Sequence, residues 1–405
     1  MPSILFSHTN FPAQFGAFGT WLAEEGWDVW FATARTDASA PPGCRMFHFE
    51  AREEPTDSMH SGAHFLDQAL QTASGFALSA EISRANGFMP DIVVAHSGWG
   101  AGTYARAVWP EARFIAYAEW WYAHPSPDIA PEETDLESDV HLRAHALRKN
   151  APVLLDLAEA DAILCPTRFQ AAQFPQWIRE RMAVMHDGID TDLHAPNPRA
   201  RDRLALYGLP QDAELVTYVA RGMEPYRGFP AFMRALAALQ SKRPKLHAMI
   251  VGEDRVAYGR ELPEQDSWRI RMLAELDLDP TRTHFTGPLP RPDYITVLQA
   301  SDAHVYLTIP FVLSWSFIEA MSVGCPIVAS DVAPVREAAE GSAVVLVDHT
   351  DTEALVARFS TLLDDPVAAR QAAARSRHHA DARFSKSNLW PERKRFLEKQ
   401  ICTDR

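Results

Sequence analysis

Two arginines, Arg221 and Arg227, stand six residues apart in "YVARGMEPYRGFPAF" (218–232). Arg221 ends a strand-like run, Gly222 allows a tight turn, and Arg227-Gly228 opens a helical segment. Guanidinium groups bind phosphate oxygens in bidentate fashion, and a helix N-terminus adds its own amides, so this spacing suits a diphosphate clamp. The structural alternative is a pair of ordinary loop charges. A second stretch, "PFVLSWSFIEAMSVGCPIVAS" (310–330), leads through apolar residues to one carboxylate, Glu319. Ser316 and Glu319 have the S-x-x-E spacing of a capping box, in which Glu319 only reaches back to the Ser316 amide. The functional alternative is a turn that points its amides at a phosphate or sugar while Glu319 accepts from ribose hydroxyls. The residues alone leave both questions open.

The elements that must position these groups are short β-rich runs alternating with helical stretches. Strand candidates fall at 3–9, 28–34, 45–49, 91–97, 113–119, 162–167 and 183–188, then at 215–221, 246–252, 283–287, 303–310, 326–331 and 343–348. Most are apolar on both faces, as buried parallel strands are. Helical lengths such as 98–109, 228–242 and 351–364 separate them. The pattern predicts an α/β protein of two Rossmann-like, doubly wound domains facing across a cleft, with ligands at the carboxyl ends of the strands. Pro, Asn, Asp and Gly collect at 186–203, which gives domains 1–190 and 191–380, followed by a C-terminal segment 381–405. That segment reads as a helix interrupted at Pro391. The acidic, proline-rich stretch 124–139 is expected to form a mobile loop beside the cleft. Neither half has a GxGxxG after its first strand, and GxxxxGK[ST] is absent, which disfavours a nicotinamide enzyme and excludes a P-loop.

Composition narrows the class further. The first 190 residues hold 12 Lys/Arg against 25 Asp/Glu, whereas the remainder holds 27 against 28. An acidic first half argues against nucleic acid, and any phosphate held by the near-neutral second half must meet particular basic residues. No apolar run approaches the length of a membrane span, and no signal segment precedes the first strand. Cys44, Cys165, Cys325 and Cys402 are far apart and form no CxxC pair, which fits reduced thiols in a cytoplasmic protein. The D-x-D pairs Asp190/Asp192 and Asp277/Asp279 lie in an interdomain break and a helix-ending turn, so no metal site is assigned to them.

"YLTIPFVLSWSFIEAMSVGCPIVASDVAPVREA" (306–338) resembles the donor-binding segment of the family 4 glycosyltransferases, retaining enzymes of the GT-B fold. "ARGMEPYRGF" (220–229) is similar to their phosphate clamp, and the resemblance implies that the last segment, 381–405, can cross back to the first domain. "ILFSHTNFPAQFGAF" (4–18), "HSGWG" (96–100) and "VGEDRVAYG" (251–259) resemble a bacterial branch that builds surface polysaccharides. The resemblance implies that Arg221 and Arg227 grip the diphosphate of a nucleotide sugar, UDP- or GDP-linked, with no further cofactor. It implies that Glu319 holds the ribose, that the amides around Ser314, Trp315 and Ser316 touch phosphate or sugar, and that Gly16 lets backbone approach the transferring group. Two departures stand out. The family's E-x7-E pair lacks its first glutamate, replaced here by Phe311, and a histidine expected after the strand at 113–119 is replaced by Glu119.

Glu119 precedes Trp120, Trp121 and Tyr122, and aromatic faces stack on sugar rings. Glu119 is therefore a catalytic candidate, able to bond a sugar hydroxyl or to stabilise positive charge at an anomeric carbon. A structural partnership with an arginine is the alternative. Trp120, His96 and His124 are acceptor-side candidates, with His8 in the same region; Trp121 reads as core. The expected acceptor is a glycan, a lipid-linked sugar or a protein, with no nucleic acid. At most there is peripheral membrane contact through Arg393, Lys394, Arg395 and Lys399 of the last helix. A nucleotide-sugar epimerase of the same fold, and a GT-B protein that binds nucleotide sugar without catalysis, are the competing readings.

Overall fold

Ile4, Leu5 and Phe6 are buried on both faces of their strand, as an apolar run without alternation requires of a central strand between two helix layers. The computed structural model of the 405-residue chain describes residues 1–52, 61–128, 138–204 and 207–402. Of the stretch 124–139, residues 129–137 lie outside the described residues. Two units are resolved by internal contacts: Met1–Ser126 with Glu137–Asp187 and Leu389–Arg405, and Gly188–Asn388 with Pro127–Leu136. The change of unit at Asp187/Gly188 falls inside the Pro/Asn/Asp/Gly stretch 186–203.

The first unit is built on seven strands: β1 (Ser3–His8), β2 (Asp28–Thr33), β3 (Arg45–His48), β4 (Ile92–His96), β5 (Arg113–Tyr117), β6 (Ala162–Cys165) and β7 (Met182–Val184). They pair in the order β3-β2-β1-β4-β5-β6-β7, and every pairing is parallel. The order reverses between β1 and β4, so His8 and His96 end the two strands that flank the switch point.

The second unit repeats the plan with β8 (Glu214–Gly222), β9 (Leu246–Glu253), β10 (Thr283–Gly287), β11 (Ala303–Tyr306), β12 (Ile327–Ser330) and β13 (Val345–Val347). Their order is β10-β9-β8-β11-β12-β13, again all parallel, with the switch between β8 and β11. Arg221 is the penultimate residue of β8, one of these two strands. Each run expected from the sequence overlaps a strand, most of them trimmed at an end, while β8 and β9 extend beyond the expected bounds.

Two helices differ from expectation. Of 98–109 only Ala105–Val108 is helical, because Gly98 and Gly100 take positive φ (89° and 79°) and the intervening chain is a loop. The last helix, Lys386–Cys402, runs through Pro391 without a break. The proline forfeits one backbone hydrogen bond, and its buried neighbours Trp390, Arg393 and Leu397 outweigh that loss. Arg393 is not a surface cation. It bonds Asp187 Oδ1 at 3.0 Å and lies over the rings of Phe18 and Tyr117, while Lys394 pairs with Glu25. Of the four cations named for peripheral membrane contact, Arg393 is therefore buried and Lys394 ion-paired, while Arg395 and Lys399 are exposed. Among the described residues no helix is long and apolar enough to cross a membrane.

Candidate functional site

In the second unit a pocket opens at the carboxyl ends of β8 and β11, lined by Arg221, Arg227, Tyr258, Ser314 and Ser316 among others. The β8–β9 register shifts between Val219 and Gly222, an irregularity that re-aims the side chain of Arg221 at the strand end. Arg221 is exposed and has no hydrogen-bond or ion-pair partner among the described residues. Arg227 is buried. Its Nη1 donates to Thr308 Oγ1 at 2.8 Å, and its guanidinium lies 5.0 Å from the centre of the Tyr258 ring. The next residue, Gly228, has φ 61°, and a Cβ there would stand 2.3 Å from that of Leu307. Only glycine lets the chain turn from Arg227 into the helix Phe229–Gln240.

The loop that carries Tyr258 is held by Glu224. Its buried Oε2 accepts from the amides of Ala257, Tyr258 and Gly259 at 3.1, 3.0 and 2.9 Å. One carboxylate between the two arginines thus fixes the aromatic face that packs on the second of them. Tyr258 in turn meets Phe311 and Tyr226, with ring centres 5.4 and 6.5 Å away. Phe311, at the position of the absent first glutamate, is one wall of an aromatic trio.

Glu319 forms no capping box. Ser314 is the N-cap of the helix Trp315–Ser322 and accepts from the Ser316 amide at 3.3 Å. Glu319, on the buried side of that helix, accepts from Arg291 Nη2 at 3.0 Å and from the Tyr294 hydroxyl at 2.5 Å, with His194 Nε2 at 3.5 Å. Burial, and then the Glu319 charge, holds the Tyr294 phenol well above its usual range, so it stays a donor. The Ser314 amide donates to the Tyr306 hydroxyl. The amides of Ser314 and Ser316 are therefore engaged within the protein, and it is these two serines together with the arginines that line the pocket. Trp315 is half-buried against the core.

In the first unit Glu119, just beyond β5, has Oε1 2.7 Å from Gln14 Nε2 and Oε2 3.1 Å from His96 Nε2. His96 Nδ1 lies 3.2 Å from the Ser97 carbonyl. The His8 ring is 4.8 Å from that of His96, and burial, then His96, pushes its pKa down to about 3. His8 Nδ1 accepts the Asn10 amide, which leaves the proton on Nε2. His8, His96 and Glu119 are thus brought together. His124 bonds Asp139 instead. Trp120, an acceptor-side candidate, is buried, with its ring 6.1 Å from Phe169; Trp121 packs on Phe174. Gly16 is buried, its amide bonds the Pro12 carbonyl, and a Cβ would stand 2.4 Å from Pro12.

The residues missed from sequence are those whose role is to hold others. Glu224 lies between the two arginines and Tyr258 within "VGEDRVAYG", so both were in view without a signal of function. Arg291, Tyr294 and Gln14 reach their carboxylates only through the fold. Of the D-x-D residues, Asp190 pairs with Lys386 and Asp279 accepts from Thr281 and Arg282.

Residues 25–194 match the model of the "Glycosyl transferase family 4 group", and residues 213–365 match that of "Glycosyl transferases group 1". The chain is 31% identical over 232 residues to D-inositol 3-phosphate glycosyltransferase of Mycolicibacterium smegmatis, covering 56% of this chain and 50% of that protein. It spans about half the length of the curated relatives it matches. Among solved structures, sucrose-phosphate synthase from Thermosynechococcus elongatus superimposes with a TM-score of 0.74 at 19% identity, over 100% of both chains. Anabaena HepE in complex with UDP-glucose gives 0.70 at 17% identity, over 98% of this chain and 100% of that one. At these identities the structural likeness establishes the fold. The chain has the GT-B fold, and its two halves match glycosyltransferase domain models, a family 4 group domain followed by a group 1 domain.

Proposed function

We propose that the protein is a retaining glycosyltransferase that moves a hexose-type sugar from a nucleotide diphosphate sugar to an acceptor hydroxyl, in glycan or surface-polysaccharide synthesis. The observation that carries this is the pairing in one pocket of an exposed Arg221, without a partner among the described residues, with a buried, oriented Arg227. Two cations at the carboxyl ends of the switch-point strands suit a diphosphate whose negative charge grows as the glycosidic bond breaks. These guanidinium groups supply the charge, so the mechanism routes no step through a metal ion.

Glu319 keeps a role in holding the ribose. Arg291 and Tyr294 each engage one of its oxygens, and each oxygen has a second lone pair for a ribose hydroxyl. Glu119, oriented by Gln14 and His96, is the carboxylate assigned to the transferring sugar or the acceptor. A UDP- or GDP-sugar donor is supported by the UDP-glucose named with the Anabaena neighbour and by a GDP-mannose-dependent mannosyltransferase among the relatives, from Mycolicibacterium smegmatis.

The test is a thermal-shift screen with UDP, GDP, ADP and CDP, with and without sugars, read alongside mass spectrometry of nucleotide released from each sugar donor. Stabilisation by one nucleotide, lost in Arg221→Ala, with release from the matching donor, is the expected result. Stabilisation by none of them overturns the diphosphate site.

A further inference from the structure

Between β4 and the helix Ala105–Val108, the loop after His96 is pinned inward at almost every residue. His96, Ser97, Gly100, Ala101 and Gly102 are buried, Gly98 is half-buried, and Trp99 is 52% exposed. The pins are specific. Asp156, buried in the helix Asp139–Glu159, accepts from the Gly98 amide at 2.7 Å and from the Thr103 hydroxyl at 2.6 Å. At Gly100 a Cβ would stand 1.9 Å from the Ala69 carbonyl oxygen, and Ser7 Oγ donates to the Ala101 carbonyl. A rigid loop that holds out a large apolar ring gives up burial worth having, and it fixes that ring in one orientation without further ordering on binding.

The indole stands next to groups that call for hydroxyls. Its ring centre is 6.5 Å from that of His96, which bonds Glu119. Ser97 Oγ and Gln14 Oε1 are buried atoms without a hydrogen-bond partner among the described residues. Such atoms cost free energy until a partner arrives. An apolar plate beside a cluster of acceptors and donors matches a saturated six-membered ring, which has a C–H face and a rim of hydroxyls.

We infer that Trp99 is the stacking platform of an acceptor subsite in the first unit, one that takes a pyranose or cyclitol ring with its hydroxyls toward Glu119, Gln14 and Ser97. This rests on the transferase reading and deepens it by assigning the ring-binding surface to Trp99, in place of the buried Trp120.

The full-length protein and its Trp99→Ala and Trp99→Phe variants are compared by saturation-transfer NMR with methyl glucoside, galactoside and mannoside, and with myo-inositol. Because the indole is half exposed, Trp99→Ala is expected to melt at an unchanged temperature. The expected result is saturation transfer to the C–H face of at least one ring in the wild type, lost in Trp99→Ala and largely kept in Trp99→Phe. Which probe responds decides between a sugar and a cyclitol. With an active donor and that ring as acceptor, the acceptor KM rises about tenfold in Trp99→Ala while the donor KM holds. Equal saturation transfer to the wild type and Trp99→Ala, or none to the wild type, overturns the platform. Absence of nucleotide-sugar turnover in the wild type is a separate result. It refutes the transferase reading while the NMR arm still reports on ring binding.

Discussion

His96 Nε2 lies 3.1 Å from Glu119 Oε2 in the first unit, and the other nitrogen of the same imidazole faces the Ser97 carbonyl. Both ring nitrogens thus face oxygen atoms. Gln14 fixes the second carboxylate oxygen of Glu119. The carboxylate is thereby held in one orientation, which its proposed role in stabilising positive charge on a reacting sugar requires. Glu119→Gln keeps the shape and removes the charge. A fall in kcat of about 10²-fold with little change in donor KM is expected. Full kcat in Glu119→Gln would remove Glu119 from the chemistry.

Arg221 and Arg227 should separate in their consequences. Arg221 is exposed and has no partner among the described residues, so Arg221→Ala is expected to leave unfolding unchanged and to weaken nucleotide binding by about 10–100-fold, the range for one charged hydrogen-bonding group. Arg227→Ala removes the same kind of ligand contact, and it also strips Thr308 and Tyr258 of a buried partner. It should therefore lower stability as well, by about 1–3 kcal/mol. Urea unfolding together with nucleotide titration distinguishes the two variants. Equal stability losses would contradict the difference in burial.

Glu224 acts on the pocket through Tyr258. Three amides converge on its Oε2, and none of them can be satisfied by an alanine. Glu224→Ala is expected to cost about 1–3 kcal/mol in stability and to release the loop around Tyr258. Amide exchange at 257–259 should rise well above that of the core strands, with nucleotide affinity reduced in parallel. Unchanged exchange at those amides would show that the loop is held by other contacts.

What could be read from sequence, and what could not, follows the range of the interactions. Central strands are runs apolar on both faces, a local property, so the sheets were legible from Ile4–Phe6 or Val216–Tyr218 onward. The arginines were marked by a strand end and a glycine turn, but the residues alone did not separate a clamp from ordinary loop charges. The partners of Glu319 were not, since Tyr294 and Arg291 come from another helix and only the fold decides between capping and cross-helix bonding. Trp120 and Trp99 illustrate the same limit. Both are tryptophans just beyond strand ends, yet one packs beside Phe169 and the other is held outward by a buried aspartate more than fifty residues away along the chain. Pro391 misled for a related reason, because a local rule against proline was overruled by the anchoring of Trp390 and Arg393.

That anchoring is itself testable. Asp187 accepts from the Tyr117 hydroxyl and from Arg393, and both charged side chains are almost fully buried. Arg393→Ala leaves a buried carboxylate without its cation, which is expected to cost about 3–5 kcal/mol. The double variant Asp187→Asn/Arg393→Met removes both charges and should recover a large part of that loss. A double variant no more stable than Arg393→Ala would mean that packing, and not the unpaired charge, sets the cost.

Asp156 makes stability depend on pH in the direction opposite to an ordinary paired carboxylate. Burial pushes its pKa up to about 6, against the lowering effect of its bonds to Thr103 and Gly98. The unfolded chain releases this proton near the ordinary aspartate value of about 4. Between about pH 4 and pH 6 the unfolded state therefore loses the proton while the folded state keeps it. Stability from this group is present in full below the unfolded pKa and declines as pH rises through the folded one. The drop is about 3 kcal/mol at most, at about 1.4 kcal/mol per pKa unit. Asparagine can accept from the Gly98 amide and donate to the Thr103 hydroxyl, so Asp156→Asn preserves the loop while removing the titration. Urea unfolding of both proteins from pH 4 to pH 8 should show Asp156→Asn gaining on the wild type across pH 4–6, with a constant difference above pH 7. Parallel curves through that window would show that Asp156 titrates alike in the folded and unfolded chain.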